Sequence, residues 1–204
     1  MAPRSSLWIG GRGGWSFPFG SLWAREVEPN FYEGVPWSDY ATSGPTLELD
    51  LGVRLARSYV VFGLFEHATL GSGAAVEPTI GAPSSAESDF GAIGLRFSSD
   101  PSRVGFLTEI AIGARRFRAR WSNGTALEGT NSLEFRMALG ADIRVSRLFS
   151  LSPVAMLSGG AFGDVDWVSP NGSSRSALGP RDLDAGHGTA SLAVGGHFDL
   201  FGSR

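Results

Sequence analysis

The stretch Ser132–Ser146, SLEFRMALGADIRVS, puts an apolar residue at every second position: Leu133, Phe135, Met137, Leu139, Ala141, Ile143 and Val145. Polar or small residues stand between them: Ser132, Glu134, Arg136, Ala138, Gly140, Asp142, Arg144 and Ser146. A helix, with its period of 3.6, would scatter this pattern around its circumference. A strand sorts it onto two faces. Strands of soluble proteins usually run about five or six residues, and this one is far longer. One face is continuous hydrocarbon; the other carries four charges.

Seven further segments read as strands: Leu7–Leu22, Thr46–Ala56, Tyr59–Leu70, Asp89–Phe97, Val104–Trp121, Phe149–Asp164 and Thr189–Phe201. Thr46–Ala56 alternates cleanly, with Leu47, Leu49, Leu51, Val53 and Leu55 opposite Glu48, Asp50, Gly52 and Arg54. Tyr59–Leu70 is apolar on both faces, so its facing is undetermined. In Val104–Trp121 a bulge near Ala114–Arg115 would keep Arg116, Arg118 and Arg120 on the polar face. The connections alternate in length. Those at 23–45, 71–88, 122–131 and 165–188 are long; those at 57–58, 98–103 and 147–148 are short. Long loops on one rim and tight turns on the other describe an up-and-down barrel. The expected fold is therefore all-β: an eight-stranded antiparallel up-and-down transmembrane β-barrel, one domain over residues 1–204.

A soluble lipocalin-like barrel also alternates, with its apolar face inside. Three features favour apolar-out. The polar face is rich in small residues (Gly52, Ala138, Gly140, Ser150, Ser152, Ala193, Gly195), as a narrow interior requires. The strands match or exceed the nine to eleven residues that cross a bilayer when tilted. Trp23, Trp37, Trp121 and Trp167 fall where strands meet long loops, where an aromatic girdle would sit.

Composition narrows the function. A net charge of −3 gives no basic face for nucleic acid. With no cysteine there is neither disulfide nor thiolate metal site, which suits an oxidising compartment. No run of 18 apolar residues is present, so no transmembrane helix is expected. Met1–Ser6 leads into Gly-rich, aromatic sequence without the apolar core of a secretory signal. The chain thus reads as mature-like or as beginning downstream of such a signal.

With this architecture the sequence resembles the eight-stranded outer-membrane β-barrel proteins of Gram-negative bacteria, the OmpA-transmembrane-domain-like and OmpW-like group. The resemblance spans nearly the whole chain. It implies residence in the bacterial outer membrane, contact with outer-membrane lipid, and insertion by the barrel-assembly machinery. That machinery reads a pattern in the last strand, whose positions are occupied here by Ala193, Gly195, Phe198 and Leu200. Ala193 replaces the usual polar residue, and the chain runs on to Arg204 instead of ending on an aromatic.

Inside such a barrel Glu48, Asp50, Arg54, Glu109, Arg116, Arg118, Glu134, Arg136, Asp142, Arg144 and Asp199 would meet and have to pair, because an unpaired buried charge costs several kcal/mol. They either seal the barrel or line a path through it; the bore of eight strands favours sealing. Of the histidines, His67 beside Glu66 is the candidate base for a lipid-modifying hydrolase, although no G-x-S-x-G elbow accompanies it. Asp164, Asp166, Asp182 and Asp184 lack the spacing of a calcium loop. Asn123 and Asn171 open sequon-like turns, and the glycines of 10–20 precede no helix that could form a phosphate site. The expectation is a non-enzymatic, cofactor-free, monomeric barrel with a structural, adhesive or loop-mediated binding role. The alternatives are a narrow channel for small or hydrophobic solutes and an outer-membrane lipid-modifying enzyme.

Overall fold

The alternating segments close into a ring. The computed structural model describes residues 2–77, 79–130 and 132–203. Its wall is β1 (Ser5–Glu28), β2 (Gly44–Ala56), β3 (Tyr59–Ser72), β4 (Ser85–Ser98), β5 (Val104–Arg120), β6 (Leu133–Arg144), β7 (Phe149–Ala161) and β8 (Gly186–Ser203). Each strand pairs antiparallel with its chain neighbours, and β1 closes the ring by pairing with β8 from Leu7↔Leu200 to Gly20↔His187. Among the described residues no helix is long and apolar enough to cross a membrane. This chain crosses with strands.

Alternation sets the two faces. On β2, Glu48 and Asp50 are buried while Leu47, Leu49 and Leu51 are 58%, 60% and 57% exposed to the outside. On β6, Leu133, Phe135, Met137 and Leu139 point out and Glu134, Arg136 and Ala138 point in. Exposed apolar surface costs about 25 cal/mol per Å² in water, and a girdle this continuous far exceeds the patch a soluble monomer tolerates. Hydrocarbon around the barrel removes that cost.

On β3 the facing is now defined: Val60, Phe62, Leu64 and Glu66 point inward. Val60, Phe62 and Leu64 pack with Trp8, Phe90 and Ala111 as an apolar sector of the interior. A second sector unites Leu107, Ala138, Val154, Met156 and Ala193. The β6–β7 ladder lapses between Leu151 and Val154, where Pro153 has no N–H to donate.

Two expectations are corrected. The bulge near Ala114–Arg115 is absent: β4 and β5 keep unbroken register from Ser85↔Arg120 to Ser98↔Leu107. Regular alternation therefore turns Arg115 inward and Arg116, Arg118 and Arg120 outward. The tryptophan girdle is also misplaced, because Trp23, Trp37 and Trp121 are buried. They form the mouth of the barrel. The outward aromatics are instead Trp15, Phe17 and Phe19 toward the long-loop rim, and Tyr59, Phe106 and Phe198 toward the short-turn rim.

The strands also outlast the expected boundaries. At roughly 3.3 Å per residue, the 24 residues of β1 span about 80 Å of strand, well beyond what a bilayer needs. The segments read as loops contain further strands: Phe31–Pro36, Ala126–Thr130, Asp164–Val168 and Ser174–Ser176 continue the wall above the apolar band. The cap closes over an aromatic core of Leu22, Trp23, Trp37, Tyr40, Phe117, Trp121, Leu127, Phe162 and Val165. A 3₁₀ turn, Trp37–Asp39, presses Trp37 against Phe117, Phe162 and His187 at ring distances of 5.3, 5.8 and 5.1 Å.

Candidate functional site

Below the aromatic mouth, the inward charges form a chain along the barrel. It starts at His187, stacked on Phe162 with 4.0 Å between ring centres. His187 Nε2 lies 3.3 Å from Glu134, whose carboxylate takes the Arg115 Nε–H at 2.7 Å. Arg115 reaches Glu66 at 3.3 Å, Glu66 meets Arg136 at 3.1 Å, and Arg136 meets Glu48 at 2.7 Å. Glu48 lies 3.1 Å from Arg12, which clasps Glu109 through both terminal nitrogens. Arg96 links Glu109 at 3.1 Å to Asp142 at 3.6 Å, and His197 stands 3.9 Å beyond Asp142. Toward the short-turn rim, Asp199 gathers Ser6, Arg54 and Arg144 at 2.8, 2.8 and 2.7 Å.

Alternation on seven different strands delivers these groups, and closure brings them together. The described interior holds six arginines (Arg12, Arg54, Arg96, Arg115, Arg136 and Arg144) against seven carboxylates (Glu48, Asp50, Glu66, Glu109, Glu134, Asp142 and Asp199). Buried ion pairs offset their desolvation only when geometry is good and the remaining donors are satisfied. Arginine suits this, because its planar fork serves two carboxylates at once. The apolar sector contributes as well. Arg96 lies 5.2 Å from the Trp8 ring, and Arg115 and Arg136 lie 4.9 and 5.4 Å from Phe90. Close packing fills the rest: a Cβ on Gly195 would come within 2.3 Å of the Arg12 side chain and of the Gly11 carbonyl. Gly195→Val is therefore expected to displace Arg12 from Glu109 and lower the urea midpoint of the micelle-bound protein.

Of the expected interior charges, the structure puts Glu48, Asp50, Arg54, Glu109, Glu134, Arg136, Asp142, Arg144 and Asp199 inside. Arg116 and Arg118 lie on the outer wall, both paired with Glu128 of Ala126–Thr130. The reason is the unbroken parity of β5. Arg12, Glu66, Arg96 and Arg115 complete the network beyond the charges expected from the sequence. Arg12 was legible, since it shares the parity of Trp8, Gly10 and Ser16. Of the last-strand positions, Gly195 faces Arg12, while Phe198 and Leu200 lie on the outward parity beside Ile9 and Leu7.

Above the apolar band, burial alone would raise the Glu128 carboxyl, but hydrogen bonds from Arg116 and Arg118 hold it below its ordinary value of 4.5. A carboxyl depressed on folding stabilises at neutral pH, and that stabilisation is lost as pH falls through the lowered value. Amide-exchange protection in Ala126–Thr130 is expected to fall on acidification below 4.5, before that of the membrane strands.

His67 is on the outer wall, half-exposed, with Nδ1 2.7 Å from Asp89 Oδ1 and Nε2 3.5 Å from Thr69 Oγ1. An acid, a base and a hydroxyl thus stand in order. The amides of the strands around them are committed to the β2–β3 and β3–β4 ladders, so among the described residues these strands offer no free amide pair to an oxyanion. No group of three or more His, Asp or Glu among the described residues could hold a metal ion.

A closed ring of eight up-and-down strands, hydrocarbon outside and ion pairs inside, defines a transmembrane β-barrel. The same fold is seen in Neisserial surface protein A, with a TM-score of 0.62 at 10% identity over 96% of this chain and 99% of that one. It recurs in the outer membrane protein OprG from Pseudomonas aeruginosa, with a TM-score of 0.53 at 12% identity over 98% and 99%. The outer membrane protein AlkL, solved in lipid bilayers, gives 0.50 at 13% identity over 98% and 93%. No family model and no curated protein sequence matches the chain. What is shared with these structures is the fold.

Proposed function

We propose that residues 1–204 form one monomeric barrel domain of a Gram-negative outer membrane. It acts as a sealed anchor that presents its long-loop rim for structural or adhesive contacts. The observation that carries this reading is the run of ion pairs from Glu134 to Asp142, with His187 above it and His197 below it, beneath the aromatic mouth. A solute would have to displace both layers. The outward girdle fits lipid as its solvent, and the outward Phe198 and Leu200 fit recognition of the last strand during assembly.

A planar-bilayer conductance measurement tests the reading. A flat trace at high protein load is expected; reproducible unitary steps would replace the anchor with a channel. Hydrolysis at His67 has the weaker support, because its neighbouring amides are engaged. Turnover of outer-membrane lipid by the purified protein, abolished by His67→Ala, would reverse that judgement.

A further inference from the structure

The strand Phe31–Pro36 folds back along the end of β1 and, among the described residues, pairs with β1 alone. Leu183–Asp184 occupies the other side of β1. Phe31–Pro36 is therefore an open edge, with a row of backbone N–H and C=O groups available to a further strand. Natural edges are usually blunted by lysine, a bulge or a covering loop. Here Pro36 blunts one end and β1 bulges opposite both ends, at Ser21–Trp23 and Glu26–Glu28. The pairing from Tyr32 to Val35 is nevertheless regular, and Phe31 to Val35 contains no basic residue.

The side chains around this edge have a definite chemistry. A cleft of about 280 Å³ runs beside it, and its walls include Glu33, Asp39 and Glu77 with Arg25 as the one cation. The Tyr40 hydroxyl donates to Glu77 Oε1 at 3.2 Å. Burial, and then the Glu77 carboxylate, push the Tyr40 phenol well above its ordinary value, so it remains a donor. At the turn, Phe31 is 63% and Val27 45% exposed. By strand length they stand beyond the lipid-facing band. Val27 is eight residues past Phe19, the last outward aromatic of β1, or roughly 26 Å further along the strand. An apolar, acid-flanked strand edge held clear of the bilayer is suited to a protein partner.

We propose that the edge Phe31–Pro36 takes up an extended basic segment of another protein as an added β-strand. Backbone pairing supplies affinity. An arginine or lysine of the segment enters the cleft between Glu33, Asp39 and Glu77, and its apolar residues rest on Phe31. This rests on the reading that the long-loop rim is the binding face, and it names the kind of partner.

The test uses the full chain in lipid nanodiscs and a fluorescent ten-residue peptide alternating arginine and valine. Saturable binding is expected. It should weaken at least tenfold in the double variant Glu33→Gln, Glu77→Gln, which keeps the hydrogen-bond acceptor for Tyr40 and leaves the barrel intact. It should also weaken for a peptide with alternate backbone nitrogens methylated, and for one alternating glutamate and valine. No saturable binding, equal binding to the double variant, or undiminished binding of either altered peptide would each overturn the proposal. Conductance of the same preparation separates the two readings. Unitary steps together with capture remove only the sealed anchor, and a flat trace without capture removes only strand addition.

Discussion

Arg136→Glu is expected to abolish the folded barrel. Arg136 bridges Glu48 at 2.7 Å and Glu66 at 3.1 Å with all three side chains almost wholly buried. Removing one partner of a buried pair costs about 3–5 kcal/mol. Reversal goes further, because it sets three carboxylates together where water cannot reach them. Small domains have about 5–15 kcal/mol in all, so the loss consumes most of the stability. The readout is the fraction that resists unfolding in unheated detergent gels: high for the parent, near zero for the variant. Arg175→Glu, on the exposed strand Ser174–Ser176, is the control and is expected to change stability by no more than about 0.5 kcal/mol. Equal behaviour of the two would mean that the interior pairs contribute nothing.

Trp37→Ala is expected to cost about 3–5 kcal/mol in the cap, the usual range for emptying a large aromatic site. Trp37 is fully buried and touches three rings, Phe117, Phe162 and His187. Its loss opens a cavity above the charge chain but leaves Arg115, Glu66 and Arg136 joined below it. The variant should therefore expose cap amides to exchange, yet remain non-conducting in a planar bilayer. Conduction by this variant would show that the aromatic layer, and not the ion pairs, is what closes the barrel.

The membrane-spanning part was legible because a strand with lipid on one side and polar groups on the other must alternate. Thr46–Ala56 and Ser132–Ser146 announce both their type and their facing. The alternating connection lengths give the ring. Facing was illegible on β3, where Val60, Phe62 and Leu64 point inward to an apolar sector and both faces carry hydrocarbon. The outward arginines of β5 misled for a related reason. Charge suits the barrel interior, but Arg116 and Arg118 stand above the hydrocarbon, where charge belongs outside as well. The tryptophans misled because an aromatic at the end of a strand suits a membrane interface and a buried cap equally, and only the closing of the 3₁₀ turn decides between them. Of the interior network, individual members were readable strand by strand. The pairings were not, since Arg12 and Glu109 are far apart in sequence and meet only when β1 closes on β8.

The natural absence of cysteine permits one direct measurement of both sealing and facing. Single cysteines are placed at adjacent positions of β6: Ala138→Cys, buried inside, and Leu139→Cys, 49% exposed on the outer wall. Each protein, reconstituted in lipid, is treated with a charged thiol reagent and with a lipophilic maleimide. The expected result is that the charged reagent labels neither position and the lipophilic one labels Leu139→Cys alone. Labelling of Ala138→Cys by the charged reagent would mean an open aqueous interior, and labelling of Leu139→Cys by that reagent would mean that the apolar wall faces water.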